Sequence, residues 1–315
     1  MTTIRKVPEL DLVHLTHGTP LEKQRFIDNF YSGLVDYGFI VLNPHEFDFS
    51  LVDSAYEKFK EFYALPAEVK QKYDMKNGGQ RGYVPKLVEH AKDNPNPDLK
   101  EYYHVGRELP PGHHLRGEYP DNVWPEEIPG FKEVALALYE QLDQTARTIF
   151  TALAPALDVP PSYFEELTRD GNSILRNIHY PPLKEFNLEN SVRAAAHEDI
   201  NLITLLVGAT DSGLELLDRD GQWLKVESTP GQIVVDSGDM LSRISNGVIP
   251  ATTHRVVNPD NSTSARYSMP FFCHPHPDAV LGCIPSCVGN GRKYEDITAR
   301  DFLHQRLVEI GVASY

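Results

Sequence analysis

The chain has 315 residues, of which 41% are hydrophobic and 24% charged, and this balance is typical of a globular protein with a sizeable core. Its formal net charge of −15 disfavours nucleic acids and anionic membranes as partners, because both are polyanions. No apolar run is long enough to span a bilayer, and the three cysteines form no Cys-x-x-Cys pair. We therefore expect a cytoplasmic protein without disulfides, present as a monomer or a weak homo-oligomer.

Helical periodicity dominates the first half of the chain. Residues 19–39 predict one helix, and residues 48–73 predict a second that stops at Pro66 and resumes as a short third. Residues 131–157 predict the longest helix. The apolar stripes that we expect to be buried comprise Phe26, Phe30, Leu34 and Val35 in the first helix, and Phe131, Val134, Ala135, Leu138, Leu142, Ile149 and Leu153 in the longest.

The segment between these helices, residues 77–130, is rich in Gly, Pro, Asn and His and shows little periodicity. Such a composition is typical of loops. Because the segment also contains the motifs "RGYVP" and "DLKEYYHVGRE", we expect its loops to lie against the core.

From about residue 172 the pattern changes to short β-rich runs separated by turn residues, as in a sandwich or jelly roll. One pair, "LELLDRDGQWLKV", predicts a hairpin with Asp-Gly in its turn. No flexible linker divides the two halves, so we expect one α+β domain with a mainly β core. The predicted strands are "SILRNIHY", "NLITLLV", "GLELL", "QWLKV", "GQIVVD", "MLSRIS", "THRVV" and "ARYSMPFF".

The stretch "AAAHEDINLITLLV" places an imidazole and a carboxylate two residues apart at the mouth of an apolar run. On a strand, His197 and Asp199 would project to the same face, where a metal ion could bind both. The chain contains no more His-x-acid pairs than its composition predicts by chance. The surroundings of each pair must therefore decide which one is a candidate site. The other pair, His276-x-Asp278, lies among prolines and is typical of a surface loop.

His254 in "TTHRVV" is the best candidate for a third ligand, since it heads another β-rich run. Two histidines and one carboxylate leave three octahedral positions open, as in non-haem Fe(II) oxygenases. The same residues could hold zinc for hydrolysis, although no HExxH-type base accompanies them. A strand end exposed to solvent, without any metal, is the structural alternative for His197 and Asp199.

The run "SARYSMPFF" contains a second candidate cluster. Arg266 and Ser268 would share a strand face, and a guanidinium with a hydroxyl is a good clamp for a terminal carboxylate. Arg-x-Ser also occurs at Arg243 and Ser245, so the pattern alone is weak. The order of all these motifs along the chain is more specific than any one of them.

Nearly the whole chain resembles the isopenicillin N synthase-like group of Fe(II)- and 2-oxoglutarate-dependent oxygenases. The resemblance is carried at the front by "VPELDL", "YGFIVLNPH", "FYALPAEVKQKY" and "RGYVP". It is carried at the back by "LRNIHYPP", "HEDINLITLL", "PGQIVVDSGDMLSRISNG", "THRVVNP" and "ARYSMPFF".

The resemblance implies a double-stranded β-helix (jelly roll) with N-terminal helices and a long helix packed against it. It also implies that His197, Asp199 and His254 bind Fe(II). The distal carboxylate of 2-oxoglutarate would contact Arg266 and Ser268, with help from the Tyr180 hydroxyl. With O2 as the other co-substrate, such an enzyme oxidises a C–H bond of a small molecule and forms succinate and CO2. The second Arg-x-Ser motif, "RIS" at Arg243, would have a structural role.

This chain departs from plant-type members of that group at Ile178, where they usually carry an asparagine that faces the co-substrate. An aliphatic residue there is similar to isopenicillin N synthase, an oxidase that needs no 2-oxoglutarate. That enzyme ends in Gln-Thr, however, whereas this chain ends "GVASY". The co-substrate-independent oxidase is therefore the main alternative, followed by an inactive jelly-roll binding protein and a zinc hydrolase.

We expect residues 1–315 to form a single oxygenase domain. Residues 1–170 would be its helical and loop region, residues 171–280 its jelly-roll core, and residues 281–315 a C-terminal extension with a helix. In resembling enzymes the early loop segment folds over the pocket, so cationic and aromatic residues there would suit an acidic or amphipathic small molecule. The residues concerned are Arg81, Tyr83, Lys86, Tyr102 and Tyr103, and for most of them a position in a solvated loop is the favoured interpretation.

Overall fold

The computed structural model describes residues 5–76, 80–86, 88, 100–182, 194–208, 213–257 and 265–309. Its helices are α1 (Val13–Thr16), α2 (Pro20–Tyr37), α3 (Phe49–Tyr63), α4 (Ala67–Lys70), α5 (Phe131–Ala156), α6 (Tyr163–Thr168), α7 (Asp239–Ile244) and α8 (Ala299–Glu309). Its strands are β1 (Glu9–Asp11), β2 (Phe39–Asn43), β3 (Gly82–Val84), β4 (Glu101–Gly106), β5 (Ile174–Tyr180), β6 (Ala194–His197), β7 (Ile203–Val207), β8 (Leu214–Leu217), β9 (Trp223–Lys225), β10 (Ile233–Ser237), β11 (His254–Val256) and β12 (Arg266–Cys273). Short 3-10 helices lie at Gln71–Tyr73 and Pro285–Cys287.

The strands form two sheets. The major sheet has eight strands in the order β1-β2-β10-β7-β12-β5-β4-β3, and the minor sheet has four in the order β6-β11-β8-β9. Neighbouring strands are antiparallel except β1 and β2, which are parallel. The sheets pack against each other through apolar residues such as Val234 and Leu216. The predicted jelly roll with packed helices is confirmed, and so is the hairpin of β8 and β9.

The two faces of the major sheet have different partners. Successive residues on a strand point to opposite sides, so Leu205 and Phe271 join the core beneath α2, α3 and α5. Leu206 and Val234 point the other way, towards the minor sheet. The same alternation lets polar residues on the inner face meet between the sheets without entering the helical core.

The predicted helices form, and their termini follow ordinary capping rules. Thr19 and Glu22 make a capping box ahead of α2, and Asp48 accepts a bond from the backbone of Ser50 at the start of α3. In α5 the expected apolar stripe is buried, apart from Val134, which is partly exposed. Helix α2 ends at Gly38, with φ +68°.

Gly38 holds the end of α2 against the segment that precedes β11. A Cβ at this position would lie 2.1 Å from the Thr252 hydroxyl oxygen, and the positive φ adds strain for any other residue. The Gly38 carbonyl accepts the backbone N–H of Ser237 at the end of β10. A glycine is therefore needed where the helical layer meets the strands of the site.

Two predictions about secondary structure were wrong. Residues 82–84 and 101–106, predicted as loops, form β3 and β4 at the edge of the major sheet. Every residue of β4 is buried, so the sequence lacks the alternation that marks a half-exposed strand. The run "MLSRIS", predicted as a strand, forms α7, because Met240, Leu241 and Ile244 are buried at helical spacing.

The C-terminal segment carries the expected helix, α8, which is tied to α7. Arg306 of α8 pairs with Asp239 at 2.6 Å. The chain end "GVASY" lies outside the described residues. Among the helices that the structure describes, none combines the length and the apolar character that crossing a membrane would require.

Candidate metal centre

Two histidines face each other across neighbouring strands of the minor sheet. His197 ends β6 and His254 begins β11, and the register places them directly opposite. Their ring centroids are 4.4 Å apart. His197 Nδ1 lies 2.8 Å from the Ala195 carbonyl oxygen, and His254 Nδ1 lies 3.1 Å from the Thr252 carbonyl oxygen. Because a carbonyl can only accept, each Nδ1 carries a proton, and Nε2 is the atom through which each imidazole could bind a metal ion.

Asp199 supplies the carboxylate between these lone pairs. Its Oδ1 is 3.7 Å from His197 Nε2 and 3.9 Å from His254 Nε2. Its Oδ2 accepts a hydrogen bond of 2.5 Å from the Thr204 hydroxyl, which fixes the carboxylate plane. The spacing predicted that Asp199 and His197 lie on the same strand, and this prediction was wrong. Asp199 lies in the connection from β6 to β7, and the chain brings it to the histidines by crossing between the sheets.

The three side chains form a donor set suited to a cation. One ligand atom from each of His197, Asp199 and His254 can be chosen so that all lie within 4.8 Å of one another. Since each Nδ1 is engaged by a carbonyl, the atoms that converge are the ones that can donate electron pairs to a metal ion. His₂-carboxylate is the donor set used by non-haem Fe(II) enzymes.

The pKa values of the site follow from burial and close charges. Burial, His254 and Lys100 together lower the pKa of His197 to about 4, which leaves a neutral imidazole ready to bind metal. Burial also acts to lower the pKa of His254, but the carboxylates of Asp199 and Asp236 outweigh it and raise the pKa. For Asp236, burial and the charge of Asp199 raise the pKa to about 7.

The predicted carboxylate clamp lies in the same cleft. Arg266 at the start of β12 is opposite Tyr180 of β5, and Ser268 is opposite Ile178. The guanidinium carbon of Arg266 is 5.1 Å from the centre of the Tyr180 ring, and Arg266 is almost fully buried. A second set of residues closes the cleft with apolar surface. It comprises Phe39, Ala194, Leu206, Leu214, Val234, Val256, Pro270 and Phe272.

Residue 178 points where the alternation predicts. Ile178 lines the cleft, whereas His179 points to the opposite face and contacts Glu101 at 2.7 Å. The cleft therefore presents an aliphatic side chain beside Ser268. Arg243 lies away from this cleft on α7, stacked on Tyr294 and Phe302, which agrees with the structural role expected for it.

Of the early segment, Lys100 lines the cleft, whereas the five cationic and aromatic residues singled out from the sequence lie outside it. Arg81 and Tyr103 are fully buried elsewhere, and Tyr83 donates a hydrogen bond to Glu101. Lys86 lies 3.8 Å from the same carboxylate, and Tyr102 packs behind the cleft with Ile178 and Tyr180. None of the five is among the described residues that line the cleft. Because their segment forms β3 and β4, these side chains make contacts within the sheet and the core instead.

Sequence reasoning missed four polar residues that line the cleft: Lys100, Arg176, Thr204 and Asp236. Thr204 and Asp236 are opposite each other on β7 and β10, each the polar residue on the inner face of an otherwise apolar run. A single polar residue within each of the apolar runs "NLITLLV" and "GQIVVD" is the sequence signal that could have identified Thr204 and Asp236. Arg176 shares its strand face with Ile178 and Tyr180, so the same alternation could have found it.

Two family models match the chain in its two halves. Residues 7–127 match the N-terminal region described as non-haem dioxygenase in morphine synthesis. Residues 171–275, which contain all the proposed site residues, match the 2OG-Fe(II) oxygenase superfamily. The chain belongs to the 2OG-Fe(II) oxygenase superfamily. The oxygenase is accordingly an oxidoreductase that depends on Fe(II) and 2-oxoglutarate and uses O2.

Relatives of this oxygenase agree in sequence and in fold. A 2-oxoglutarate-Fe(II) type oxidoreductase of Emericella nidulans is 35% identical over 272 residues, covering 82% of this chain and 76% of the relative. A 2OG-Fe(II) oxygenase family protein from Caulobacter crescentus has a TM-score of 0.87 and 43% identity, covering 96% of this chain and 98% of its own. A full-length Neurospora crassa protein, solved in complex with alpha-KG and thymine, has a TM-score of 0.85 and 29% identity, covering 96% of each chain.

Proposed function

We propose that His197, Asp199 and His254 bind Fe(II), and that Arg266, Ser268 and Tyr180 bind the distal carboxylate of 2-oxoglutarate. The observation that carries this assignment is the convergence of three electron-pair donors within 4.8 Å, in the same cleft as a buried arginine and two hydroxyl groups. The cluster needs a cation and the clamp needs an anion, and an iron–2-oxoglutarate pair supplies both.

Fe(II) held by His197, Asp199 and His254, with 2-oxoglutarate held by Arg266, Ser268 and Tyr180, would supply the reduction of O2 that oxidises a C–H bond of the substrate and yields succinate and CO2. The protein's own groups hold this chemistry in place. The carbonyls of Ala195 and Thr252 orient the two imidazoles, and Thr204 orients the Asp199 carboxylate. The apolar walls of the cleft keep water from the reacting centre, which strengthens the charge interactions within it.

The proposal extends to the organisation of the chain and to its substrate. We propose one oxygenase domain over residues 1–315, because β2 from the front half pairs with β10 and a single apolar cluster spans α2, α5 and β12. A small organic molecule is the expected substrate, since the Neurospora crassa relative was solved with thymine. A monomer or weak homo-oligomer suffices, because the proposed ligands all come from one chain.

Anaerobic titration tests the assignment. Protein loaded with Fe(II) should develop a visible charge-transfer absorption band when 2-oxoglutarate is added. Exposure to O2 should then convert 2-oxoglutarate to succinate, slowly without substrate and faster with it. Iron that stays bound without a band or succinate would contradict the proposed clamp.

Ile178 favours a second candidate function, that of an isopenicillin N synthase-like oxidase that takes all four electrons for O2 from its substrate. The aliphatic side chain lies beside Ser268, where plant-type relatives place an asparagine. Consumption of O2 without succinate would identify this oxidase.

A further inference from the structure

The start of α7 holds the connection between β6 and β7, on which Asp199 lies. The backbone N–H of Asp239 donates to the Asp199 carbonyl oxygen at 2.7 Å. Just before it, the N–H of Gly238 donates to the Leu202 carbonyl oxygen at 3.0 Å. A Cβ on Gly238 would lie 2.2 Å from the Asn201 carbonyl oxygen, so the two segments are as close as only glycine allows. Any movement of the start of α7 would therefore move the Asp199 backbone.

The side chain of Glu198 joins the same connection to the strand of the second histidine. In the sequence, Glu198 stands between His197 and Asp199. Its Oε1 accepts a hydrogen bond of 3.0 Å from the hydroxyl of Thr253, the residue that precedes His254. Glu198 therefore bridges the two chain segments that supply the three proposed metal ligands.

Glu198 also contacts a second carboxyl group, that of Asp239. Burial raises the pKa of Asp239, Arg306 acts against this rise and Glu198 adds to it, so that the pKa lies at about 6. At neutral pH the two neighbouring carboxylates would repel each other without a cation beside them. Arg306 of α8 supplies that cation, with its Nε 2.8 Å and its Nη2 2.6 Å from Asp239 Oδ2. Because the Asp239 side chain is only 10% exposed, solvent screens this ion pair weakly.

Helix α8 presents Arg306 from a fixed position. Phe302, one turn before Arg306, is buried in the core. The guanidinium carbon of Arg243 on α7 lies 5.3 Å from the centre of the Phe302 ring, so the two helices also meet through this contact. Printed contacts thus run without a gap from α8 through Asp239 to Glu198 and the two segments that carry the proposed ligands.

We propose that Arg306 is a positioning residue for the metal centre, and that it holds the β6–β7 connection in its metal-binding conformation by neutralising Asp239 beside Glu198. The inference rests on the proposed function, because it takes His197, Asp199 and His254 as the iron ligands. Without Arg306, repulsion between the two carboxylates would push the start of α7 away from the connection. The C-terminal helix therefore contributes to metal affinity although it supplies no ligand.

The affinity for Fe(II) tests this role directly. Arg306→Gln removes the charge and keeps a polar side chain. Anaerobic titration of the metal-free variant with Fe(II), in competition with a chromogenic chelator at neutral pH, should give a Kd about tenfold higher than that of wild type. At saturating Fe(II) the Kd of 2-oxoglutarate should be unchanged, because the proposed clamp lies on β5 and β12. Arg306→Lys should recover part of the lost iron affinity by restoring the charge.

Arg300→Gln is the matched control on the same helix. Arg300 pairs with Asp278 at 2.8 Å and with Glu118, all three on the surface. This variant also removes an ion pair of α8, but it should keep the wild-type Kd for Fe(II). Equal weakening of iron binding by Arg300→Gln and Arg306→Gln would show that the effect comes from the stability of α8, and the inference would be wrong. Wild-type iron affinity in Arg306→Gln would overturn it as well.

A double variant tests the electrostatic cause. Arg306→Gln combined with Asp239→Asn leaves Glu198 beside a neutral group, so it should bind Fe(II) more tightly than Arg306→Gln alone. A double variant that binds as weakly as the single one would contradict the assigned cause. Wild-type melting temperatures of the metal-free variants show that each is folded.

The outcomes separate this inference from the proposed function. If Fe(II) binds to His197→Ala and Asp199→Ala as tightly as to wild type, or does not bind to wild type, the proposed function fails and the inference falls with it. If these two variants lose iron and Arg306→Gln does not, only the inference fails.

Discussion

Two buried clusters in this molecule combine histidine with a carboxylate, but they differ in what completes them. Glu101 on the helix side of the major sheet is 1% exposed and accepts bonds from Lys70 Nζ at 2.8 Å, the Tyr83 hydroxyl at 2.5 Å and His179 Nδ1 at 2.7 Å. Every partner of the Glu101 cluster donates a proton, so the protein itself satisfies the carboxylate. Its role is structural.

The metal cluster has the opposite balance. Asp199 receives one hydrogen bond, from Thr204 to Oδ2, while its Oδ1 lies 3.7 Å and 3.9 Å from the Nε2 atoms of two imidazoles, too far for a hydrogen bond. Both imidazole N–H groups are already used by backbone carbonyls. The comparison shows that a buried carboxylate is structural where its neighbours donate hydrogen bonds to it. It is a candidate metal ligand where the N–H groups of the neighbouring imidazoles are bonded elsewhere.

Removing the ligand carboxylate should have the largest effect. Asp199→Ala and His197→Ala should each abolish turnover and sharply weaken Fe(II) binding, because two protein ligands compete poorly with water. The metal-free fold should keep its melting temperature, because the large apolar core of the protein does not depend on a metal ion. Activity assays, iron titration and thermal melting together test this prediction.

The second His-x-acid pair provides the control for that experiment. Asp278 pairs with Arg300 on the surface and lies outside the metal cluster. Asp278→Ala should retain iron and turnover. Wild-type activity in Asp199→Ala would remove that residue from the site.

The Glu101 cluster should respond to substitution through stability instead. Burial acts to raise the pKa of Glu101, but the bonds from His179, Lys70 and Tyr83 outweigh it and lower the pKa to about 2 from 4.5. A shift of this size corresponds to about 3 kcal/mol of the free energy of unfolding. Glu101→Gln should lose about that much at pH 7, measured by denaturant unfolding.

The pH dependence of this stabilisation has a definite sign. Because the pKa is lowered in the folded state, the contribution is complete above about pH 4.5 and is lost as pH falls towards 2. The difference in unfolding free energy between wild type and Glu101→Gln should therefore decrease as the pH falls from about 4.5 towards 2. The exposed Glu61→Gln should change stability by less than about 0.5 kcal/mol at any pH. If the difference in unfolding free energy between wild type and Glu101→Gln were the same at pH 7 and pH 2, the ionised Glu101 carboxylate would not be its cause.

The clamp should show the smallest of these effects. Arg266→Gln keeps a polar group but loses the fork and the charge, which should weaken 2-oxoglutarate binding about 10- to 100-fold. Arg243→Gln, at the Arg-x-Ser copy on α7, should leave that affinity unchanged. Titration of the 2-oxoglutarate absorption band measures both. Identical behaviour of the two variants would show that the wrong copy was chosen.

Short-range rules were enough to predict much of this protein from its sequence. The amphipathic stripe of α5, the turn of the β8–β9 hairpin and the shared face of Arg266 and Ser268 all depend on residues a few positions apart. Ile178 also points into the cleft as its strand alternation requires. The order of the His, Asp, His and Arg-x-Ser motifs along the chain then indicated the family, which the family models confirm.

Tertiary structure decided the features that depend on distant partners. Glu101–Gly106 becomes a strand because β3 and β5 bury it on both sides, and Asp199 reaches the histidines by leaving its predicted strand. The register of β5 against β12 sets the strand face of Ile178 and Tyr180 opposite Ser268 and Arg266. Sequence periodicity reports which residues share a face of one element, whereas a binding site is set by how separate elements pack, and that depends on contacts between residues far apart in the chain.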